Sequence, residues 1–158
     1  YDLGGVVLDL ENYPAALDRD VARLADTLRA LLRPAGGVVA QTVGVDQGPA
    51  RAARVAASVD YAVLMLYDEH WSTSGPGPVA SQPWFAEQAR ALVAAVTPAK
   101  AVLALGAYGY AWNDATRDVE AVTHQEALAA ARAHGALPRW DRASLNPYLA
   151  WTDPDSTD

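Results

Sequence analysis

The sequence predicts an α/β domain of parallel strands joined by helices. Two observations carry this. Short apolar, β-branched runs occur four times, near residues 5–10, 38–43, 61–66 and 100–105. Each is followed by a stretch of helical spacing or helix-forming composition, and strand-then-helix repeated in this way implies parallel strands with helical crossovers.

In chain order, Gly5-Val6-Val7-Leu8-Asp9-Leu10 reads as a buried strand after glycines. From Leu17 to Arg33, the residues Leu17, Val21, Leu24, Leu28, Leu31 and Leu32 share a helical face, and Pro34 with Gly36-Gly37 ends the helix. Val38 to Val43 is the second strand, followed by an alanine-rich helix around Ala50 to Ser58. Tyr61 to Leu66 is the third strand, and a loop rich in Gly, Pro and Ser runs from Tyr67 to Ala80. A helix from Gln82 to Val96 leads into the fourth strand, Lys100 to Leu105. A glycine- and aromatic-rich loop from Gly106 to Trp112 comes next, then a helix from Thr123 to His134 with Gly135 as its cap. Two architectures fit this order, an open doubly wound sheet or a segment of an eight-fold barrel. No strand is followed by G-x-G-x-x-G, which argues against a dinucleotide-binding sheet.

Composition bounds the function. The chain has 158 residues, a length that fits one domain; 51% are hydrophobic and 20% charged, a globular balance. The net charge is −7 with no basic stripe, so nucleic acid is not an expected partner. There is no cysteine, which excludes disulfides and thiolate metal sites. No apolar run approaches the roughly 20 residues of a membrane-spanning helix. The sequence starts at Tyr1 and runs out in polar residues from Trp151 to Asp158, so the expectation is a single incomplete domain, 1–158, cut at both ends.

Chemistry-bearing residues gather at strand ends. In the first strand Val7, Asp9 and Glu11 alternate onto one face, with Asp9 and Glu11 roughly 7 Å apart by the rise of a strand. Two carboxylates at the C-terminal end of a barrel strand are costly to bury and lie where barrel enzymes place catalysis. Spacing alone leaves open that they are the polar end of an edge strand. Met65, Tyr67 and Glu69 repeat the theme, and the cluster Tyr67-Asp68-Glu69-His70-Trp71 follows the third strand. Trp71 and Trp112 offer flat apolar rings that suit the CH faces of sugars, or else they pack loops. His70, His124 and His134 lack ligand spacing, so neither metal nor cofactor is expected.

These stretches resemble glycoside hydrolase family 18. The family's D-x-x-D-x-D-x-E hallmark at the fourth barrel strand is matched by Gly4-Gly5-Val6-Val7-Leu8-Asp9-Leu10-Glu11 in its last two acidic positions and in Gly5. Asn12-Tyr13-Pro14 resembles its continuation. Met65-Leu66-Tyr67-Asp68 matches the family's Met-x-Tyr-Asp at strand six, and Tyr108-Gly109-Tyr110-Ala111-Trp112 its Y-G-Y-x-W after strand seven. The likeness is nearest to bacterial spore-cortex members and to envelope proteins in which such a barrel is joined to a polysaccharide deacetylase and a glycosyltransferase.

The resemblance implies a partial (β/α)8 barrel, from about strand four to helix seven, whose unclosed edges would expose apolar residues. It implies an extracellular or cell-envelope enzyme acting on polysaccharides that contain N-acetylhexosamine. By it, Glu11 is the proton donor, Asp9 orients and balances the substrate acetamide, and Tyr67 bonds the acetamide oxygen. Asp68, Met65, Gln41, Trp71, Tyr108 and Trp112 are the implied sugar contacts. Two acidic positions of the hallmark are Gly4 and Val7 here, and Asp2 lies two residues too early to replace the first. Val7 supports a rival, a non-catalytic glycan-binding barrel, and a third reading is an unrelated parallel α/β domain.

Overall fold

The computed structural model describes residues 3–152; Asp2 and the polar tail from residue 153 onward lie outside the described residues. The described residues divide into two compact units, 3–66 with 87–105, and 67–86 with 106–152.

The first unit has the expected α/β character. Strands β1 (Gly5–Leu8), β2 (Val38–Gly44), β3 (Tyr61–Met65) and β4 (Ala101–Ala104) form one parallel sheet in strictly sequential order. Helices α1 (Asp18–Leu32) and α2 (Gly48–Ser58) make two crossovers, and α3 (Gln82–Val96), which belongs to this unit from Glu87 onward, leads into β4. The buried seam of α1 is centred on Ala25, flanked by the half-buried Val21, Leu28 and Leu32. Leu17, Leu24 and Leu31, assigned to the core by spacing, stand exposed instead. At 3.6 residues per turn Leu24 and Leu31 lie roughly 100–120° around the helix from Ala25, so this row stands off the packed face.

Val39, Val43, Val59, Leu64 and Leu66 are fully buried, and Leu92 nearly so. Along β3, Ala62 and Leu64 are buried while Val63 and Met65 are only partly so, which marks the helix-covered face of the sheet. Both edge strands carry uncovered apolar side chains, Val6 and Val7 on β1 and Val102 and Leu103 on β4.

Three local features fix the sheet. Gly5 lies so close to β2 that an added Cβ would sit 2.1 Å from the Val38 carbonyl oxygen. Asp60, just before β3, accepts from the Val39 N–H at 2.9 Å and from the Arg29 Nε and guanidinium tip at 3.1 and 2.9 Å. Lys100 Nζ donates to the Ala56 and Val59 carbonyls, satisfying acceptors left open where α2 ends.

The second unit departs from the sequence reading. The stretch Tyr108–Trp112, expected as loop, is a strand, β5, paired antiparallel with β6 (Val119–Thr123). Strand β6 runs directly into α4 (His124–Ala133). Thr123 and Glu126 form a capping box there, with the Glu126 carboxylate accepting from the Thr123 N–H at 2.7 Å. Gly135, at φ 62°, turns the chain beyond His134 as expected. A further hairpin, β7 (Arg139–Asp141) with β8 (Asn146–Tyr148), was not foreseen.

Gly5→Ala should destabilise the protein by about 1–3 kcal/mol, the usual cost of forcing extra volume into a packed site. Chemical denaturation checks this, and an unchanged midpoint would contradict the close approach. Asp60 gives a pH dependence. The Val39 N–H, then Arg29, holds its carboxyl below the ordinary value of 3.8, with burial opposing. A lowered folded pKa supplies stability above the ordinary value that is lost as pH falls through the folded one. The stability gap between the parent and Asp60→Asn should therefore be full at neutral pH and shrink below about pH 4. A gap that stays constant into acid would exclude the assignment.

Candidate functional site

In the first unit, the candidate carboxylates sit where the sheet ends. Strand β1 stops at Leu8, whose register partner is Gln41, so Asp9 and Glu11 lie past the last ladder pair. The expected alternation of Val7, Asp9 and Glu11 along one continuous strand therefore does not extend that far. Asp9 is nonetheless held: it accepts from the Thr42 hydroxyl at 2.9 Å. Glu11 is exposed, and Asn12 after it takes a left-handed φ of 56°.

Gln41 does not join these residues. It is adjacent to Thr42 along β2 and so points to the opposite face, where it is 2% exposed and donates to the Tyr13 hydroxyl at 3.2 Å. A hollow of about 760 Å³ opens on that face, beside the first turns of α1 and along α2, lined by Tyr13, Asp18, Gln41, Arg51 and Arg54 among others. Neither Asp9 nor Glu11 lines it. Met65 closes β3, half-buried and away from the helix-covered face.

In the second unit, Tyr67 and Asp68 meet the aromatic side chains of β5. The rings of Tyr67 and Tyr108 lie edge to face with centroids 6.0 Å apart, Tyr108 and Tyr110 likewise at 5.7 Å, and Trp112 continues the row 5.7 Å from Tyr110. These three β5 residues share a face because side chains alternate along a strand. The Tyr108 hydroxyl donates to the Asp68 carboxylate. Burial first, and then this carboxylate, push the Tyr108 phenol far above its ordinary value; the same two influences raise Tyr110. Tyr108 is therefore a neutral donor at physiological pH.

Gly106 permits this packing, since a Cβ there would come within 2.9 Å of Tyr67 Cβ. The loop after Asp68 is pinned at its base, with the Glu69 carboxylate accepting from the Ser81 backbone N–H and hydroxyl. Trp71 stands 46% exposed on the loop, and its indole N–H donates to the Thr73 hydroxyl. Sequence reasoning missed the Thr42 bond to Asp9 and the cluster around Tyr13. Alternation in Tyr108-Gly-Tyr-Ala-Trp was the available signal for β5.

No family model matches the chain. The YdhD protein of Bacillus subtilis strain 168, provisionally named a sporulation-specific glycosylase, is 28% identical over 95% of this chain. The crystal structure of YdhD superposes on 96% of this chain with a TM-score of 0.85 and 25% identity. The chain's structural neighbours are chitinase-like. A chitinase of Chromobacterium violaceum aligns over 96% of this chain and 50% of its own, with a TM-score of 0.81 and 24% identity. The spore cortex-lytic enzyme SleL of Bacillus cereus aligns over 96% of this chain and 37% of its own, with a TM-score of 0.82 and 20% identity. The chitinase-like resemblance read from the three motifs is thus borne out. The chain spans 38% of the length of YdhD and 54% of its crystallised chain.

Proposed function

We propose that this chain is part of a (β/α)8-barrel glycosidase, from about the fourth strand to the seventh helix, that cleaves β-linked polysaccharide containing N-acetylglucosamine. Peptidoglycan, chitin and a related exopolysaccharide are the substrate classes that fit. The single observation that carries this reading is the carboxylate pair at the C-terminal end of β1, with Asp9 tethered to Thr42 and Glu11 free to reach a ligand. The sequential order of the four parallel strands supports a barrel arc. Likeness to a glycosylase, a chitinase and a cortex-lytic enzyme supports the chemistry.

The proposed mechanism is substrate-assisted and retaining. Glu11 gives its proton to the glycosidic oxygen as the bond to the anomeric carbon breaks. The substrate's acetamide carbonyl oxygen attacks that carbon and closes an oxazolinium ring. Asp9 accepts from the acetamide N–H and balances the developing charge. Tyr67 donates to the acetamide oxygen, and Asp68, its carboxylate oriented by Tyr108, helps position the group. Glu11, now ionised, takes a proton from water, which opens the ring at the anomeric carbon with net retention.

On the family resemblance we also propose placement outside the cell or in its envelope, and linkage to deacetylase and glycosyltransferase domains in a longer chain. Val7, where the hallmark has a carboxylate that tunes Asp9, favours a second reading, a glycan-binding barrel without turnover. Glu11→Gln in the full chain separates the two. The parent should release reducing ends from N-acetylated oligosaccharides, and the variant should be slower by roughly 10²- to 10⁴-fold, the span of general acid catalysis. Oligosaccharides stripped of their acetyl groups should resist both. Equal release by parent and variant defeats the hydrolase reading, whereas oligosaccharide affinity without turnover in either supports the binding module.

A further inference from the structure

The segment that carries Glu11 is anchored on both sides, and the second anchor has no counterpart in the motifs. Two residues before Glu11, Asp9 takes the Thr42 hydroxyl. Two residues after it, Tyr13 is held from three directions. Gln41, buried in β2, donates to its hydroxyl at 3.2 Å. The Arg51 guanidinium, from α2, lies over its ring 4.2 Å from the centroid. The same guanidinium donates to the Tyr13 carbonyl oxygen at 3.1 Å.

Arg51 is itself fixed. Its side chain is 13% exposed and pairs at 2.8 Å with Asp18 in the first turn of α1, where negative charge suits the helix dipole. Arg54 reaches the same carboxylate at 3.0 Å.

We propose that Arg51 is a positioning residue for Glu11, acting through Tyr13. This rests on the reading of Glu11 as the proton donor. An exposed general acid has no packing of its own to aim it, so its direction is set by the backbone that carries it. Between Asp9 and Tyr13 that backbone bends at Asn12, where φ is 56°, and Tyr13 is the point where it rejoins fixed structure. One guanidinium serves three partners at once, the Tyr13 ring, the Tyr13 carbonyl and the Asp18 carboxylate. A flat, five-donor fork can do this; a lysine ammonium can keep the pairing with Asp18 but cannot also stack and bridge.

The test uses Arg51→Met and Arg51→Lys in the full chain, read by amide hydrogen exchange, thermal unfolding and steady-state kinetics on N-acetylated oligosaccharides. In both variants the Leu17 amide, which donates to the Pro14 carbonyl at 2.9 Å just after Tyr13, should exchange about tenfold faster or more, while the β2 and β3 amides do not change. The kcat should fall roughly 10- to 100-fold with KM within about twofold, since a displaced acid costs the chemical step and not ground-state binding. Arg51→Lys keeps the buried charge pair and so remains informative if Arg51→Met does not fold. Unchanged exchange at the Leu17 amide overturns the proposal, and so does a rate loss that merely tracks a lowered melting temperature. A parent chain without turnover overturns the role of Glu11 and the catalytic half of this proposal. The exchange result then still decides whether Arg51 holds the segment.

Discussion

The register of β1 against β2 is the constraint on which the candidate site depends. The ladder closes with Leu8 opposite Gln41, and the next contact is between side chains, with the Thr42 hydroxyl on Asp9. The chain therefore leaves the sheet at Asp9 with that side chain tied down and the following residues free to turn. A slip of one residue would send Asp9 to the helix-covered face and bring Leu10 in its place. Gly5 secures the register from the other end, since only a residue without a side chain allows β1 so near the Val38 carbonyl. The same parallel pairing ends β3 at Met65 opposite Ala104 of β4, so the C-terminal ends of these strands lie along one edge of the sheet.

Polar groups reinforce that arrangement from the edges of the core. Asp60 clasps Arg29 of α1 and the N–H of Val39, so one carboxylate joins a helix to two strands. Lys100 does the converse at the end of α2, a cation meeting carbonyl oxygens. In the second unit, Asp68 and Tyr108 make a carboxylate–phenol pair in which burial keeps the phenol neutral and donating. Each pairing offsets the cost of removing a polar group from water and fixes a backbone segment that side-chain packing alone would leave loose.

Much of the first unit was legible because its signals are local and periodic. The four apolar runs, the glycine stop after α1 and the bounds of α3 come directly from composition and spacing. What was not legible depended on pairing. The run Val38-Val39-Ala40-Gln41-Thr42-Val43 has no polar alternation, so nothing in it tells which face Gln41 takes; the register with β1 decides that. The hairpin β5–β6 hid behind its glycine and aromatics, which read equally well as a loop, and its partner strand abuts the capping box of α4. Arg51, inside an alanine-rich helix, carries no sequence mark of its contact with Tyr13. The three motifs pointed to the residues of the proposed site, while the hydrogen bonds around them depend on strand pairing that no local pattern encodes.

The central claim is that Asp9 and Glu11 serve a reaction in which the substrate's own acetamide forms the ring. A stable thiazoline fused to N-acetylglucosamine imitates that ring, and calorimetric titration against it is the most direct measurement. A site built for the cyclised intermediate should bind the thiazoline at least roughly 10²-fold more tightly than N-acetylglucosamine itself, as transition-state analogues do. The preference should disappear in Asp9→Ala. Equal affinity for the two sugars, or a preference indifferent to Asp9, would contradict the account.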